Sequence, residues 1–366
     1  MAKPVSYSDY LKTKKLLEIQ KPLSAVLPDG TASGKGAHDE MLFIVVHQAH
    51  ELWFKQILHE LQSVLNVFAQ DPVDEKNMGM CVSRLSRVTD IQKVLIDHVR
   101  ILETMTPLDF LEFRDFISPA SGFQSVQFRL VETKLGLERE SAFHSPKSPF
   151  MLSLTAPELA EIHAAESSKS LFELVEKWLE RTPFLDTEGY TFWKSYREAV
   201  QGRISNDRHA IENHPGLDAE YKARQFEEIR KTEASFEALF DEKMYAELRE
   251  QGFKRLSLRA THAALFIHLY RDEPILQLPF KLLTLLVDID ELLQGWRSQH
   301  ALMVHRMIGT KVGTGGSLGY NYLRTTIEKN KIFSDFFNLS TFLIPRSLLP
   351  ELPTELRRKL GFVSTQ

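Results

Sequence analysis

Apolar side chains recur every three or four residues over most of this 366-residue chain, and this spacing restricts the fold more than any other feature. After Phe54 the stripe continues through Ile57, Leu58, Leu61, Leu65 and Phe68. Such spacing puts side chains on one face of an α-helix, whereas a half-buried strand alternates apolar and polar residues. The pattern predicts one long helix over about 39–70. The β-branched run 44–46 would also suit a strand, but the uninterrupted stripe after it favours the helix.

The same helical spacing returns along the rest of the chain, and no alternating strand pattern stands out. Further helices are predicted at about 76–106, 108–116, 123–136, 157–181, 187–203, 256–273, 275–308 and 320–348. A loop is expected over 137–156, where prolines and serines cluster. The chain is therefore predicted to be all-α, a multi-helix, bundle-like fold in one domain over 1–366, with a charged helical excursion at 203–255.

Composition excludes several classes of protein. Hydrophobic residues make up 43% of the chain, enough for a sizeable core, and the net charge of −4 gives no reason to expect nucleic acid as a partner. The single cysteine, Cys81, excludes an intrachain disulfide and a CxxCH haem-attachment motif. The segment MAKPVSYSDY has no apolar core of a signal peptide, and no apolar run approaches the roughly 18 residues of a membrane span. We expect a cytoplasmic protein with no membrane partner.

Two histidines lie in the first long helix. His47 and His50 are three residues apart and share a helix flank, but HxxHE is not a zinc-protease motif, which reads HExxH or HxxEH. Phe43 lies one turn before His47, so a ring and an imidazole face the same spot. A core histidine with a hydrogen-bonded ring is the common reason for such a pattern. Binding of a flat aromatic ligand with one N–H is the functional alternative.

Arg114 lies one turn after Phe110 in the aromatic segment FLEFRDF. A buried arginine must find an anion. A salt bridge to a neighbouring acidic residue (Asp109, Glu112 or Asp115) would satisfy it. The functional alternative is that its guanidinium binds the carboxylate of a ligand through two hydrogen bonds.

The glycine-rich segment 309–320 reads GTKVGTGGSLGY. A GxGxxG motif that starts at Gly313 would need glycine at 318, where leucine stands, and no Walker Gly-Lys-Ser/Thr is present. A nucleotide site is therefore not indicated. The segment is either an ordinary helix connection or a loop that closes over a ligand, to which Thr314 would offer its hydroxyl.

His300 and His305 are five residues apart, about 140° around a helix, so one metal ion would not take both. The face of His300 carries apolar and aromatic side chains, namely Leu293, Trp296, Met303, Val304 and Met307. This wall suits a flat hydrophobic macrocycle, and His300 is the better candidate if either histidine is an axial haem ligand. A packed core histidine is the more common alternative.

Three stretches together resemble the tryptophan 2,3-dioxygenase family: FIVVHQAHELWFKQILHEL (43–61), FRDFISPASGFQSVQFRLVETKLG (113–136) and HRMIGTKVGTGGSLGYNYLRTT (305–326). Shorter stretches at 6–11, 102–110, 178–185 and 337–346 are similar to it in the same order. The resemblance implies an all-helical homotetramer with one noncovalent haem b per subunit, active in the ferrous form. It also implies that O2 is inserted across the indole C2–C3 bond of L-tryptophan, which gives N-formyl-L-kynurenine, the first step of the kynurenine pathway.

The resemblance also implies roles for residues at the cofactor and the indole ring. His300 corresponds to the proximal iron ligand, and Ser121 lies near the haem. His47 is the distal histidine, a catalytic-site residue that faces the indole N–H. Phe43 packs against the substrate ring. Phe110 lies at the substrate where some members have tyrosine, so a hydroxyl contact would be missing here.

The amino-acid head of the substrate and the neighbouring subunit account for the other implied roles. Arg114 would bind the substrate carboxylate, and Thr314 would contact its ammonium and carboxylate groups. Tyr7 and Tyr10, in the N-terminal segment 1–20, resemble tyrosines that reach into a neighbouring subunit's active site. A noncatalytic haem or tryptophan sensor and an enzyme for another indole are the rival interpretations. The retained His47, Arg114, Thr314 and His300 favour the dioxygenase.

Overall fold

The computed structural model describes residues 4–26, 36–138, 154–182, 192–311, 313 and 320–361. Every regular element in these ranges is an α-helix or a short 3-10 helix, which confirms the all-α prediction. The α-helices are α1 Tyr7–Leu11, α2 Thr13–Leu16, α3 Glu40–Phe68, α4 Met78–Leu102, α5 Pro107–Ile117, α6 Val126–Leu135, α7 Ala156–Glu166, α8 Leu171–Glu180, α9 Phe192–Glu212, α10 Ala219–Ala238, α11 Glu242–Glu250, α12 Leu258–Leu269, α13 Gln277–Ile308, α14 Tyr320–Lys329, α15 Ser334–Asn338 and α16 Thr354–Leu360.

The chain packs into two compact units. The first comprises Met1–Gln62, Arg87–Lys169 and Ile289–Ile332, and the second comprises Ser63–Ser86, Ser170–Asp288 and Phe333–Gln366. The prediction of one domain over 1–366 is not tested by this division and stays a prediction. Within the described ranges, no helix has the length and apolar character needed to cross a membrane.

The first unit is built around a cluster of apolar side chains from α3, α4, α5 and α13. Its fully packed members are Val46, Val99, Leu102, Met105, Phe110, Phe113, Met303 and Met307. Helix α6 packs on α7 in the same unit, with Leu130 and Ile162 buried between them. The β-branched run 44–46 lies inside α3, so the strand alternative is wrong there. Helix α13 ends at Ile308 because Gly309 follows with a φ of 60°, in the left-handed region that glycine adopts at helix ends.

The second unit has an aromatic core of its own. Helix α8 packs on α12, and α9 packs on α10. Phe192 and Tyr196 of α9 are almost fully buried, and the Phe192 ring lies edge-on to Phe266 at a centroid distance of 5.3 Å. The charged helical excursion predicted at 203–255 contains α10 and α11, which are separated at residues 239–241.

Two predicted helices are each interrupted. The helix expected over 157–181 is α7 and α8, because Ser170 caps the start of the second helix. The N–H and the hydroxyl of Ser170 both donate to the Glu173 carboxylate, at 2.7 Å each. The helix expected over 320–348 ends at Lys329, where the Asn330 carbonyl accepts from Gln294 and Arg297 of α13, at 2.7 and 3.0 Å. The predicted loop at 137–156 lies largely outside the described residues, as do positions 187–191 of another predicted helix.

We predict that Ser170→Ala lowers the free energy of unfolding by about 1 kcal/mol, because the first turn of α8 loses its cap. Ser168→Ala is the matched control, since the Ser168 hydroxyl only donates to the Ala164 carbonyl, at 2.9 Å on the exposed end of α7. For this control we expect a change within about 0.5 kcal/mol. Chemical denaturation of both variants measures the difference. Equal losses would contradict the capping role.

Candidate active site

One cavity lies in the first unit between α5, the turn after α5, and the parts of α3 and α13 that belong to this unit. It is called the first cavity here, and the candidate residues Phe43, His47, Phe110, Arg114, Ser121 and His300 line it together with Leu102, Met105, Gly122, Met303, Val304, Met307, Ile308, Gly313 and Leu323. The candidates lie in widely separated segments of the sequence, so the fold brings them together. Most of the remaining lining is aliphatic, and this makes the cavity suitable for a flat apolar ligand with a polar end.

Phe43 and His47 form one aromatic face on α3. Their ring centroids are 4.0 Å apart with an interplanar angle of 34°. The Nδ1 atom of His47 lies 2.7 Å from the carbonyl oxygen of Phe43. Since a carbonyl only accepts, Nδ1 carries the proton and Nε2 is the acceptor of the ring. Burial lowers the pKa of His47, although the Phe43 hydrogen bond and the charge of Glu51 oppose this, so the imidazole is neutral near pH 7.

Helix α5 presents Phe110 and Arg114 from one of its faces. The helix starts with a capping box, in which Thr106 and Asp109 satisfy each other's backbone N–H groups, and with Pro107 at its first position. Phe113, with no exposed surface, packs edge-on against Phe43 at 5.4 Å and against Phe110 at 5.3 Å. The capping box and this aromatic packing fix the part of α5 from which Arg114 enters the cavity wall.

His300 projects from α13 with its ring parallel to the indole of Trp296. The centroids are 5.1 Å apart and the interplanar angle is only 3°. Burial, and then the nearby imidazoles of His47 and His50, lower the pKa of His300 to about 4. The ring is therefore neutral at physiological pH, which is the state in which histidine binds a metal. The predicted apolar face is confirmed for Met303, Val304 and Met307, which line the first cavity.

His305 is placed differently, as the helical spacing predicts. Its side chain is exposed, and its ring lies edge-on to Tyr320 at a centroid distance of 4.3 Å. It lines neither of the cavities that His300 borders. Of the two histidines of α13, His300 is the one that lines these cavities.

A second cavity borders His47 and His300 on another side. The residues that it does not share with the first cavity include His50, Phe54, Phe128, Trp296 and a charged group, Arg129, Glu132 and Arg297. The Nδ1 atom of the buried His50 donates to the Val46 carbonyl at 2.8 Å. Burial lowers the pKa of His50 to about 4. The prediction of a structural histidine agrees with this bond, but sequence reasoning missed that His50 also lines a cavity.

The charged group of the second cavity was also missed. The i,i+3 spacing of Arg129 and Glu132 on α6 could have indicated a pair. The bond between Glu132 and Arg297, by contrast, joins two positions 165 residues apart, so the local sequence gives no signal of it. Burial alone would raise the pKa of Glu132, but the two arginines outweigh it and hold that pKa below its usual range. The carboxylate is therefore ionised inside an apolar wall.

Three candidate residues are not among the described residues that line the first cavity. Thr314 lies outside the described residues. Tyr7 and Tyr10, on α1, are each 77% exposed and line neither cavity. Among the described residues, no group of three or more His, Cys, Asp or Glu side chains could hold a metal ion, so the HxxHE segment forms no such site there.

The sequence of this chain is similar to those of one protein family. The model of the family described as tryptophan 2,3-dioxygenase matches residues 1–343. The tryptophan 2,3-dioxygenase of Bdellovibrio bacteriovorus is 51% identical over 359 residues, which cover 98% of both chains. That of Dictyostelium discoideum is 46% identical and covers 98% of this chain and 89% of its own. That of Mus musculus is 44% identical and covers 94% of this chain and 84% of its own.

We predict that Phe113→Ala lowers the free energy of unfolding by about 3–5 kcal/mol, because it leaves a void behind Phe43 and Phe110. Phe116→Ala, on the same helix, is the control, since the Phe116 side chain is 53% exposed. Its loss should cost less than about 1 kcal/mol. Denaturant titration of the purified variants gives both values. Similar losses for the two variants would contradict the proposed support of the cavity by Phe113.

Proposed function

Because this chain belongs to the tryptophan 2,3-dioxygenase family, we propose that its first cavity is the site where L-tryptophan is bound and oxidised. The chain is an oxidoreductase of tryptophan degradation that inserts both oxygen atoms of O2 across the indole C2–C3 bond, the step that forms N-formyl-L-kynurenine in the kynurenine pathway. One observation carries the choice of site. Phe43, His47, Arg114 and His300, to which the family resemblance gives roles, line this single cavity.

Haem is the cofactor of this family, and the residues of the first unit fit it. We propose one noncovalent haem b per subunit, ferrous in the active enzyme, with His300 as the proximal ligand. A neutral imidazole on an otherwise apolar wall supplies the donor that haem iron takes. The only cysteine, Cys81, cannot form a CxxCH attachment, which agrees with noncovalent binding. When bound, the ferrous iron supplies the O2 chemistry, and the protein supplies binding, orientation and electrostatics.

The indole ring of the substrate is proposed to lie against Phe43, with its N–H directed at His47. The tautomer of His47 supports this role, because Nδ1 donates to the Phe43 carbonyl and Nε2 is left as an acceptor for one N–H. The same bond holds the imidazole in place while the ring of Phe43 lies 4.0 Å away. We therefore propose that His47 acts in catalysis by orienting the indole N–H of the substrate.

The amino-acid head of the substrate is proposed to bind at the other end of the first cavity. Arg114 would take the carboxylate through two parallel N–H···O bonds, which fix direction as well as charge. Thr314 would contact the ammonium and carboxylate groups. Phe110 would pack beside the ring without the hydroxyl of tyrosine, and Ser121 would lie at the edge of the haem. Positioning of this kind can supply about 7–11 kcal/mol of the barrier reduction.

The proposed assembly is a homotetramer in which the N-terminal segment of one subunit completes the site of its neighbour. The exposure of Tyr7 and Tyr10 supports this, because aromatic side chains left in water within one chain are suited to burial in another. The partners of the protein are then L-tryptophan, O2 and further copies of itself. The cytoplasmic location stays a prediction.

We predict that His300→Ala abolishes stable haem binding, because the iron loses its protein ligand. The Soret band of protein purified after haem supplementation measures the result. His305→Ala is the matched control, since that exposed residue lies five positions further along the same helix and should leave the Soret band unchanged. A His300→Ala variant with normal haem content and turnover would show that the ligand assignment is wrong.

We predict that Arg114→Leu raises the KM for L-tryptophan at least about tenfold, since a charge-assisted hydrogen-bonded pair contributes roughly 1.5–3 kcal/mol. Arg114→Lys should recover only part of this, because lysine keeps the charge without the planar pair of donors. Arg100→Leu is the control: its guanidinium is exposed and lies 3.6 Å from Asp97. Steady-state kinetics, followed by N-formylkynurenine absorbance, measures all three. An unchanged KM in Arg114→Leu would remove the carboxylate-binding role.

A further inference from the structure

Glu132 is a buried carboxylate held between two arginines. Its side chain is 4% exposed and accepts hydrogen bonds from Arg129 at 2.8 Å and from Arg297 at 2.7 Å, whose side chains are 11% and 5% exposed. These are charge-assisted bonds, and Arg297 joins α13 to α6. The group borders the second cavity, whose other lining residues include Phe128, Trp296 and His300.

The position of Arg297 in α13 gives the ion pair its importance. Arg297 follows Trp296, whose ring lies parallel to His300, and precedes His300 by about one helical turn. The Trp296 ring also contacts α6, because the ring of Phe128 packs against it at a centroid distance of 5.0 Å. Phe128 and Glu132 are one turn apart on α6. Helix α6 thus contacts α13 at two adjacent residues, Trp296 and Arg297, which precede His300 by about one helical turn.

A third contact holds the same turn from the C-terminal side of α14. The Asn330 carbonyl accepts from Arg297 at 3.0 Å and from Gln294 at 2.7 Å. The guanidinium of Arg297 therefore uses separate nitrogens, Nη2 for Glu132 and Nη1 for Asn330. A planar fork with fixed donor directions can do this, whereas a lysine ammonium would not reproduce the geometry.

Stability alone gives a weak reason for such a group. Taking ions out of water costs so much that a buried ion pair is often no more stabilising than apolar residues of similar volume. A buried charged group does, however, accept few alternative geometries, because any shift leaves a charge unpaired in a low-dielectric wall. A charged group one helical turn from His300, which lines both cavities, is therefore suited to fixing the direction of the His300 side chain.

We propose that Glu132 is a positioning residue, which fixes the orientation of the His300 imidazole toward the iron through Arg297 and α13. This inference rests on the proposed role of His300 as the iron ligand. Glu132 and Arg297 set the placement of the His300 turn, and the Phe128–Trp296 contact sets the plane of the ring. Groups that hydrogen-bond directly to a metal ligand orient it in other metal sites, and their loss typically reduces metal affinity about 10–100-fold. Glu132 acts one step further out, through Arg297, so that range is the upper limit of its expected effect.

The test uses Glu132→Gln in the full-length, haem-loaded protein. We expect haem transfer to excess apomyoglobin to be up to about 10-fold faster than in the wild type, the lower end of the range for direct partners of a ligand, and the Fe–histidine stretching band of the ferrous protein to shift or broaden. Arg297→Lys keeps both charges and should change the same two readouts in the same direction by a smaller amount. This milder variant supplies the test if Glu132→Gln does not fold.

Glu60→Gln is the matched control. Glu60 is an equally buried carboxylate of the first unit, 1% exposed and 2.7 Å from Arg87, but neither residue lines the two cavities. Its loss should lower stability and leave haem transfer and the Fe–histidine band at wild-type values. Wild-type values for Glu132→Gln or, if that variant does not fold, for Arg297→Lys would overturn the proposal. Equal changes in Glu60→Gln would also overturn it, because they would show a general effect of stability.

His300→Ala separates failure of this inference from failure of the proposed function. If His300→Ala retains an Fe–histidine band, then His300 is not the ligand, and both the assignment and the inference that rests on it are wrong. If His300→Ala loses the band while the Glu132 and Arg297 variants keep wild-type haem transfer, the ligand assignment stands and only the positioning role is wrong.

Discussion

The site depends on histidines that are kept uncharged by the loss of water around them. Burial makes the protonated forms of His47, His50 and His300 unfavourable, so that each can lie on an apolar wall without a counter-ion. The helix itself supplies the needed acceptor for two of them. In α3 the Nδ1 atoms of His47 and His50 reach the carbonyls of Phe43 and Val46, four residues earlier. This bond selects the tautomer. In His47 the tautomer leaves Nε2 available for a ligand, whereas Nε2 of His50 accepts from the indole N–H of Trp296 at 3.5 Å.

Aromatic packing then turns neutral rings into oriented ones. Phe43 rests on the fully buried Phe113, and His300 lies parallel to Trp296, which is supported in turn by Phe128 of another helix. Edge-to-face and offset arrangements restrict the angle of a ring as well as its distance. Both of the faces proposed to enclose cofactor and substrate are thus backed by a second layer of aromatic rings. The ligands would meet a surface that is already ordered, which lowers the cost of binding.

The helices were predictable where burial is periodic, but their ends were less so, even where the cap is local. The apolar stripe of α3 places its bounds within about two residues. The break at Ser170 was missed because 157–181 keeps apolar spacing on both sides of a serine whose cap overrides it. The break after Lys329 has only a weak local signal, Asn330, a residue type that occurs at helix ends. The Asn330 carbonyl is bound instead by the side chains of Gln294 and Arg297, which come from α13 and lie far earlier along the chain.

The candidate site shows the same division between local and distant information. Helical spacing paired Phe43 with His47 and separated His300 from His305, and the geometry agrees with both. Periodicity did not bring Arg114 to His300, since that juxtaposition comes from the packing of α5 and α13 and was available only through resemblance to a family. Resemblance in turn supplied no role for Glu132, because it carries over only the roles already known for matching positions. Glu132 acts through Arg297, 165 positions away, and a contact over that distance in sequence can be identified only in the three-dimensional structure.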